Sequence, residues 1–233
     1  MLRKRIRLAD ERGTTLVELM VGISLGMVIL SALTGLVIVT LHASARVSAR
    51  VHATQNARIS LVKIIEQLHS ACVTPKIAPV QVGSTGTKLI FSHSTASEGS
   101  SATVKPIRSE VALSGTSLIE TDYAALGSTV PPTFSKTATG PSQALISNVA
   151  PTPPSSSIFT YYTYSNGKLV AIPPKELSLT EANSVIQVKV AFTGFPPKTS
   201  SSDKNVGASV ENSAMLRLTP PSFEAEAGSL PCQ

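Results

Sequence analysis

From Thr14 to Leu41 the chain runs for 28 residues without a lysine, arginine, histidine or aspartate, and Glu18 is the single ionisable side chain inside the run. A helix rises about 1.5 Å per residue, so the stretch would extend about 42 Å, more than the ~30 Å hydrocarbon core of a bilayer. A charged carboxylate costs on the order of 2.5–3.5 kcal/mol at mid-bilayer and less near an interface. Glu18 therefore calls for a partner, and the chain for a membrane.

The residues in front of the run supply the partner. Arg3, Lys4, Arg5, Arg7 and Arg12 precede Gly13, and the apolar segment begins directly after it with Thr15-Leu16-Val17-Glu18-Leu19 close behind. This arrangement resembles the N-terminal signature of type IV prepilins and pseudopilins. Specific over residues 1 to about 41, the resemblance implies cleavage between Gly13 and Thr14 by prepilin peptidase on the cytoplasmic face, usually with N-methylation of the new amine. Cleavage would leave an ammonium at Thr14, one helical turn from Glu18. Glu18 would then neutralise its own N-terminus or that of a neighbouring helix, and the sequence leaves both pairings open. The resemblance implies a structural subunit of a pilus or secretion filament, of the minor pilin or pseudopilin kind. Its implied partners are the peptidase, other pilin subunits and the assembly platform. It also implies a single span in a bacterial inner membrane, an extracytoplasmic head and passage into a cell-surface filament. Gly35 stands where many major pilins carry Pro, and it weakens a helix by about 1 kcal/mol against about 3 for Pro.

Two plainer readings compete. Ala43-Ser44-Ala45 mimics a signal-peptidase site, but secretory h-regions span about 7–15 residues, well short of this run. A bitopic protein with an extracytoplasmic binding or sensing head is the alternative function. Charge adds little: half of the net +6 lies in residues 1–13, and the rest is too weak and scattered to argue for a nucleic-acid partner. Arg46, Arg50, Arg58 and Lys63 nearly balance the basic residues of the leader, so the positive-inside rule favours a cytoplasmic leader only slightly.

Residues 42–72 contain no Pro or Gly. Val47, Val51, Thr54, Arg58, Leu61, Ile65, Leu68 and Cys72 alternate at spacings of four and three, with Val62 and Ile64 widening the stripe. The pattern predicts that the helix continues into water, amphipathic over 42–72, with Gln55, Asn56, Ser60, Lys63, Glu66 and Gln67 mostly off the stripe. Pro75 marks its end. Gly22 and Gly26 form a small-xxx-small motif that permits close helix approach but is also common in any membrane helix.

Residues 73–233 read as a β-rich head. Expected strands are 88–92, 104–113 and 117–121, with Gly115 in a hairpin turn, then 157–164 and 168–172 joined by an Asn166-Gly167 turn. A further strand over 184–195 places Ile186, Val188, Val190 and Phe192 on one face. The last, 213–219, turns Ala214, Leu216 and Leu218 inward and Arg217 outward. Segments 92–103, 127–157 and 196–212 are rich in Ser, Thr, Pro and Gly and read as surface loops. The expected fold class is α+β: a long N-terminal helix, membrane-spanning in its first half, packed on an antiparallel pilin-like sheet.

Cys72 and Cys232 are the only cysteines. With the head outside the cytoplasm they would form one disulfide, constraining the unfolded chain by roughly 5 kcal/mol in the loop-entropy view. Two free thiols are the alternative. His42, His52, His69 and His93 lack metal-ligand spacing and read as solvated or interfacial. Glu110, Glu120 and Asp122 read as surface carboxylates. Tyr161, Tyr162 and Tyr164 alternate in a strand, and core packing is their expected role. No nucleophile motif, phosphate loop or paired acid–base site emerges, so no catalytic residue, cofactor or metal is expected.

Overall fold

A computed structural model describes residues 15–71, 78–95, 105–127, 132–197 and 207–216. Its first element, helix α1, runs Leu16–His69 without a break, through Gly35 included. The chain divides into two units, Met1–Val47 and Ser48–Gln233, and α1 contributes to both. In the first unit every described side chain is exposed. The expected leader 1–13, the cleavage pair Gly13 and Thr14, Pro75 and both cysteines lie outside the described residues.

The second unit is α+β, as expected. Among the described residues ten strands form two five-stranded antiparallel sheets. The first sheet has β1 (Lys88–Thr95), β2 (Lys105–Ser114), β3 (Ser117–Leu126) and β4 (Thr133–Phe134) in that order, with β5 (Gln143–Ser147) also on β3. The second comprises β6 (Val149–Pro151), β7 (Phe159–Ser165), β8 (Lys168–Ala171), β9 (Gln187–Gly194) and β10 (Ala208–Met215). Its order is β10-β9-β7-β8, with β6 on β9. One core joins both sheets to the later turns of α1: Leu61, Ile64 and Leu68 meet Leu89, Phe91, Val111 and Leu118 together with Phe159, Tyr161, Val188, Val190 and Phe192. Each such aliphatic or aromatic side chain contributes about 1.5–3 kcal/mol by leaving water.

The buried stripe of α1 differs from the expected one in its first turns. Val47, Val51 and Arg58 are exposed, and the inward positions are Ala53 and Ala57, followed by Ser60, Leu61, Ile64, Ile65 and Leu68. Val62 also faces out. The reason is close approach. A Cβ built on Gly194, at the end of β9, would stand 3.2 Å from the Ala57 Cβ and 3.5 Å from the Ala53 carbonyl. Helix and strand meet where neither carries bulk, and the larger Val47 and Val51 are left outside. Gly194→Val should therefore destabilise the unit by about 1–3 kcal/mol through overpacking. Gly194→Ala should cost less, and urea titration of the purified chain would rank the two.

Several segments depart from expectation. Segment 127–157 is not one surface loop: β4, β5 and β6 lie within it, too short to show alternation. β5 carries an extra residue opposite β3, since Leu118 pairs with Ile146 but Ile119 with Ala144. The bulged Leu145 carbonyl accepts from the Ser60 hydroxyl at 2.8 Å, so Ser60, expected on the outer face, is buried. The strand expected over 184–195 is preceded by a helical turn, α2 (Leu179–Ser184), opened by a capping box in which Ser178 and Glu181 satisfy each other's backbone N–H. Burial along β9 follows the expected face, Ile186 to Phe192. The last strand begins at Ala208 rather than at 213, within the expected loop 196–212; Ala214 and Leu216 are buried, and Arg217 and Leu218 lie outside the described residues. The β7–β8 hairpin turns at Asn166 and Gly167 with φ of 51° and 72°, the left-handed pair expected of Asn-Gly.

Candidate functional site

Two places carry polar chemistry that demands explanation: the apolar run of α1 and the core face of the first sheet.

In the apolar run the hydroxyls are self-satisfied. Ser24 donates to the Met20 carbonyl at 2.9 Å, Ser31 to Met27 at 2.8 Å, Thr34 to Leu30 at 2.8 Å and Thr40 to Val37 at 2.8 Å. These are all the hydroxyl residues between Leu16 and Leu41, and bonding back to the preceding turn removes the need for water. The surface that remains is apolar: Leu16, Val17, Leu19, Met20, Ile23 and their successors to Leu41 are about half to three-quarters exposed. By length and composition the helix can cross a membrane. Thr15 opens it, its hydroxyl accepting from the Glu18 N–H at 3.3 Å. Glu18 is exposed on the first turn and forms no ion pair among the described residues. It is the one polar side chain here left with charge to place.

On the first sheet, Leu89, Phe91 and His93 of β1, Ser109, Val111 and Leu113 of β2, and Leu118, Glu120 and Asp122 of β3 lie on one face by register. Glu120, expected at the surface, is 4 % exposed. Its carboxylate accepts from Lys63 Nζ at 2.6 Å and from Gln67 Nε2 at 2.5 Å, both on α1. The signal for this was present in the sequence, because Glu120 shares the period-two face of Leu118. Lys63 and Gln67 are four apart, one turn on one helical side, so a single carboxylate can meet both.

His93, expected to be solvated or interfacial, is also buried. Its ring stacks on Phe91 with centroids 5.4 Å apart, and Nε2 lies 2.9 Å from Ser109 Oγ. Ser109 donates to Asp122 Oδ1 at 2.5 Å, so the Nε2 position must supply the proton of the His–Ser bond. Histidine, serine and aspartate are thus present in a row, but the order is that of a structural relay. The serine proton points to the carboxylate, whereas a nucleophilic serine gives its proton to the imidazole. Ser109 is fully buried. Tyr161 is buried as expected and donates to the carbonyls of Thr85 and Lys88 at 2.9 and 3.0 Å, while burial pushes its phenol well above the usual range. Tyr162 is half-buried and Tyr164 lies outside the core, 62 % exposed, because they occupy the opposite face of β7.

A groove of about 450 Å³ runs beside α1, lined among others by His52, Asn56, Ile59, Asn148, Phe195 and Pro197. It holds no convergent set of titratable groups. Among the described residues no three His, Asp or Glu side chains come together as a metal cluster.

No protein-family model matches the chain, and no curated protein is significantly similar to it.

Proposed function

We propose that the chain is a structural subunit, of the minor pilin or pseudopilin kind, of a type IV pilus-like filament. In this reading it is cleaved after Gly13, held in the inner membrane by residues 14–41 with its β-rich unit outside the cytoplasm, and assembled through its N-terminal helix. Prepilin peptidase, an assembly platform and other pilin subunits are its partners, and the work is mechanical rather than catalytic. One observation carries the reading: between Leu16 and Leu41, a membrane-length stretch of α1 has every hydroxyl bonded within the helix, yet it keeps one exposed carboxylate in its first turn. A plain anchor gains nothing from that acid, whereas a subunit whose new N-terminus lies four residues away has a use for it. The amphipathic continuation of the helix into a two-sheet core fits the same role.

The test is the mature N-terminus. Mass spectrometry of the chain purified from the cell envelope should find Thr14 first, with or without a methyl group. A chain that begins at Met1 would favour the bitopic binding or sensing protein, for which the groove beside α1 would be the binding site. A chain that begins at Arg46 would point to ordinary secretion.

A further inference from the structure

The second sheet ends on β8 at one side and on β10 at the other, in the order β10-β9-β7-β8. An open edge invites a further strand, and proteins guard such edges with short length, lysine, proline or bulges. β8 has such guards: four residues, Lys168 at its start, and Pro173-Pro174 just beyond its end. β10 has none of them. It runs for eight residues, keeps an unbroken register with β9, and contains neither lysine nor proline. Its one charge, Glu211, is paired with Lys189 at 2.9 Å. The Leu216 N–H donates to the Ile186 carbonyl at 2.8 Å, so the even positions of β10 bond to β9 and the odd ones point away. The backbone groups of Ser209, Glu211, Ser213 and Met215 therefore face the open edge. Among the described residues no strand pairs with them; the Ser213 N–H is met by the Asn212 side chain at 2.8 Å.

We propose that β10 pairs antiparallel with β10 of a second copy of this chain, so that the two second sheets become one. The proposal concerns the β-rich unit alone and is independent of the filament reading. The sequence of β10 fits itself in one register, with a two-fold axis at Asn212. Ser209 then faces Met215 of the second copy and Glu211 faces Ser213, and the outward N–H and C=O groups of all four are used. On the other face Val210 meets Ala214 and Ala208 meets Leu216, apolar against apolar, all four already on the buried side of the sheet. The two Asn212 amides meet on the axis, where each can donate to the other and release its own Ser213 N–H for the ladder. Moving the axis to Glu211 sets two like charges directly opposite. Moving it to Ser213 puts Ala208 and Ser209 opposite residues beyond the end of β10. One strand edge is narrow beside the ~1,200–2,000 Å² of a lasting interface, so the expected dimer is weak and exchanging.

A crosslink that reads the register suits a weak dimer. Full chains carrying Ser209→Cys and full chains carrying Met215→Cys, mixed in mild detergent and oxidised, should join position 209 of one to position 215 of the other. The ladder sets those Cα atoms about 5.5 Å apart, within disulfide reach. Either variant oxidised alone should give about tenfold less dimer, because two copies of one position then stand about 20 Å apart. Asn212→Cys alone should link to itself across the axis, where the Cα atoms come within about 4.5 Å. Adding Ser213→Pro to it removes an outward N–H and none from the ladder to β9, and should reduce that link about tenfold. The mixed pair, with Asn212 and the β9 ladder intact, decides without it. Peptide mapping by mass spectrometry assigns each link and keeps those of Cys72 and Cys232 apart. Dimer as abundant in either single variant as in the mixture, or no 209–215 link in the mixture, overturns the proposal. So does a monomeric product in which position 209, 212 or 215 is joined to Cys72 or Cys232, because the chain itself would then cover the edge.

Discussion

Lys63→Met should lower the unfolding free energy of the β-rich unit by about 3 kcal/mol. The Glu120 side chain is 3 % exposed and its counter-ion 43 % exposed, so the carboxylate bears the desolvation and the ammonium relieves it. Removing the lysine leaves a buried charge with Gln67 as its remaining donor. Breaking a buried pair costs about 3–5 kcal/mol, and the partial exposure of Lys63 places this case at the lower end. Lys63→Met combined with Glu120→Gln should recover most of the loss, because no charge then remains inside and Gln67 keeps an acceptor. The chain contains no tryptophan, so tyrosine near-UV circular dichroism in a urea titration of the full chain in detergent is the suitable readout. A single variant within ~1 kcal/mol of wild type would mean that the ion pair is not what holds the carboxylate in place.

Whether a residue could be placed from the sequence depended on how much period its surroundings kept. β9 was legible because Ile186, Val188, Val190 and Phe192 alternate without interruption, and the β7–β8 hairpin because Asn-Gly states its own dihedral angles. Ala53 and Ala57 were not, since alanine adds little apolar signal. Their role depends on Gly194, about 140 residues away in sequence. The bulge at Leu145 and the strands β4 and β6 are defined by their neighbours rather than by their own two to five residues. α2 did leave a local mark, the Ser178-x-x-Glu181 box, whose glutamate is drawn down to about 2 by Lys175 and by the bonds at Ser178. Burial of Glu120 also followed from strand parity with Leu118, but its charge pointed to the surface; His93 fell one residue past the expected strand 88–92, so its parity with Leu89 and Phe91 in β1 (Lys88–Thr95) went unread. The core polar residues are visible to anyone who trusts the period over the residue type.

Glu18→Ala should leave cleavage and membrane insertion intact while reducing the chain in sheared filaments at least tenfold, a loss worth about 1.4 kcal/mol per incorporation step. The expectation follows from where the charge is. In the single chain the carboxylate is exposed on an otherwise apolar helix, a position that costs on the order of 2.5–3.5 kcal/mol at bilayer depth and less near the interface. Alanine removes that cost, so the variant should sit in the membrane at least as readily as the wild type. On the proposed cleavage after Gly13, what it lacks is the partner for an ammonium at Thr14, and an unpaired cation among packed helices would be penalised more heavily than one at a membrane surface. Glu18→Gln distinguishes charge from hydrogen bonding: if it assembles no better than alanine, charge is what matters. Gly13→Val is the companion experiment. It should abolish the mobility shift on gels and keep the chain out of filaments with Glu18 still present, because the ammonium never forms. Blots of sheared filaments and of membranes read both. Wild-type incorporation of Glu18→Ala would remove the reason for the acid, and an unchanged shift with Gly13→Val would move the cleavage site elsewhere. Failure of assembly by two routes, one lacking the carboxylate and the other lacking the amine, would place the requirement on their meeting.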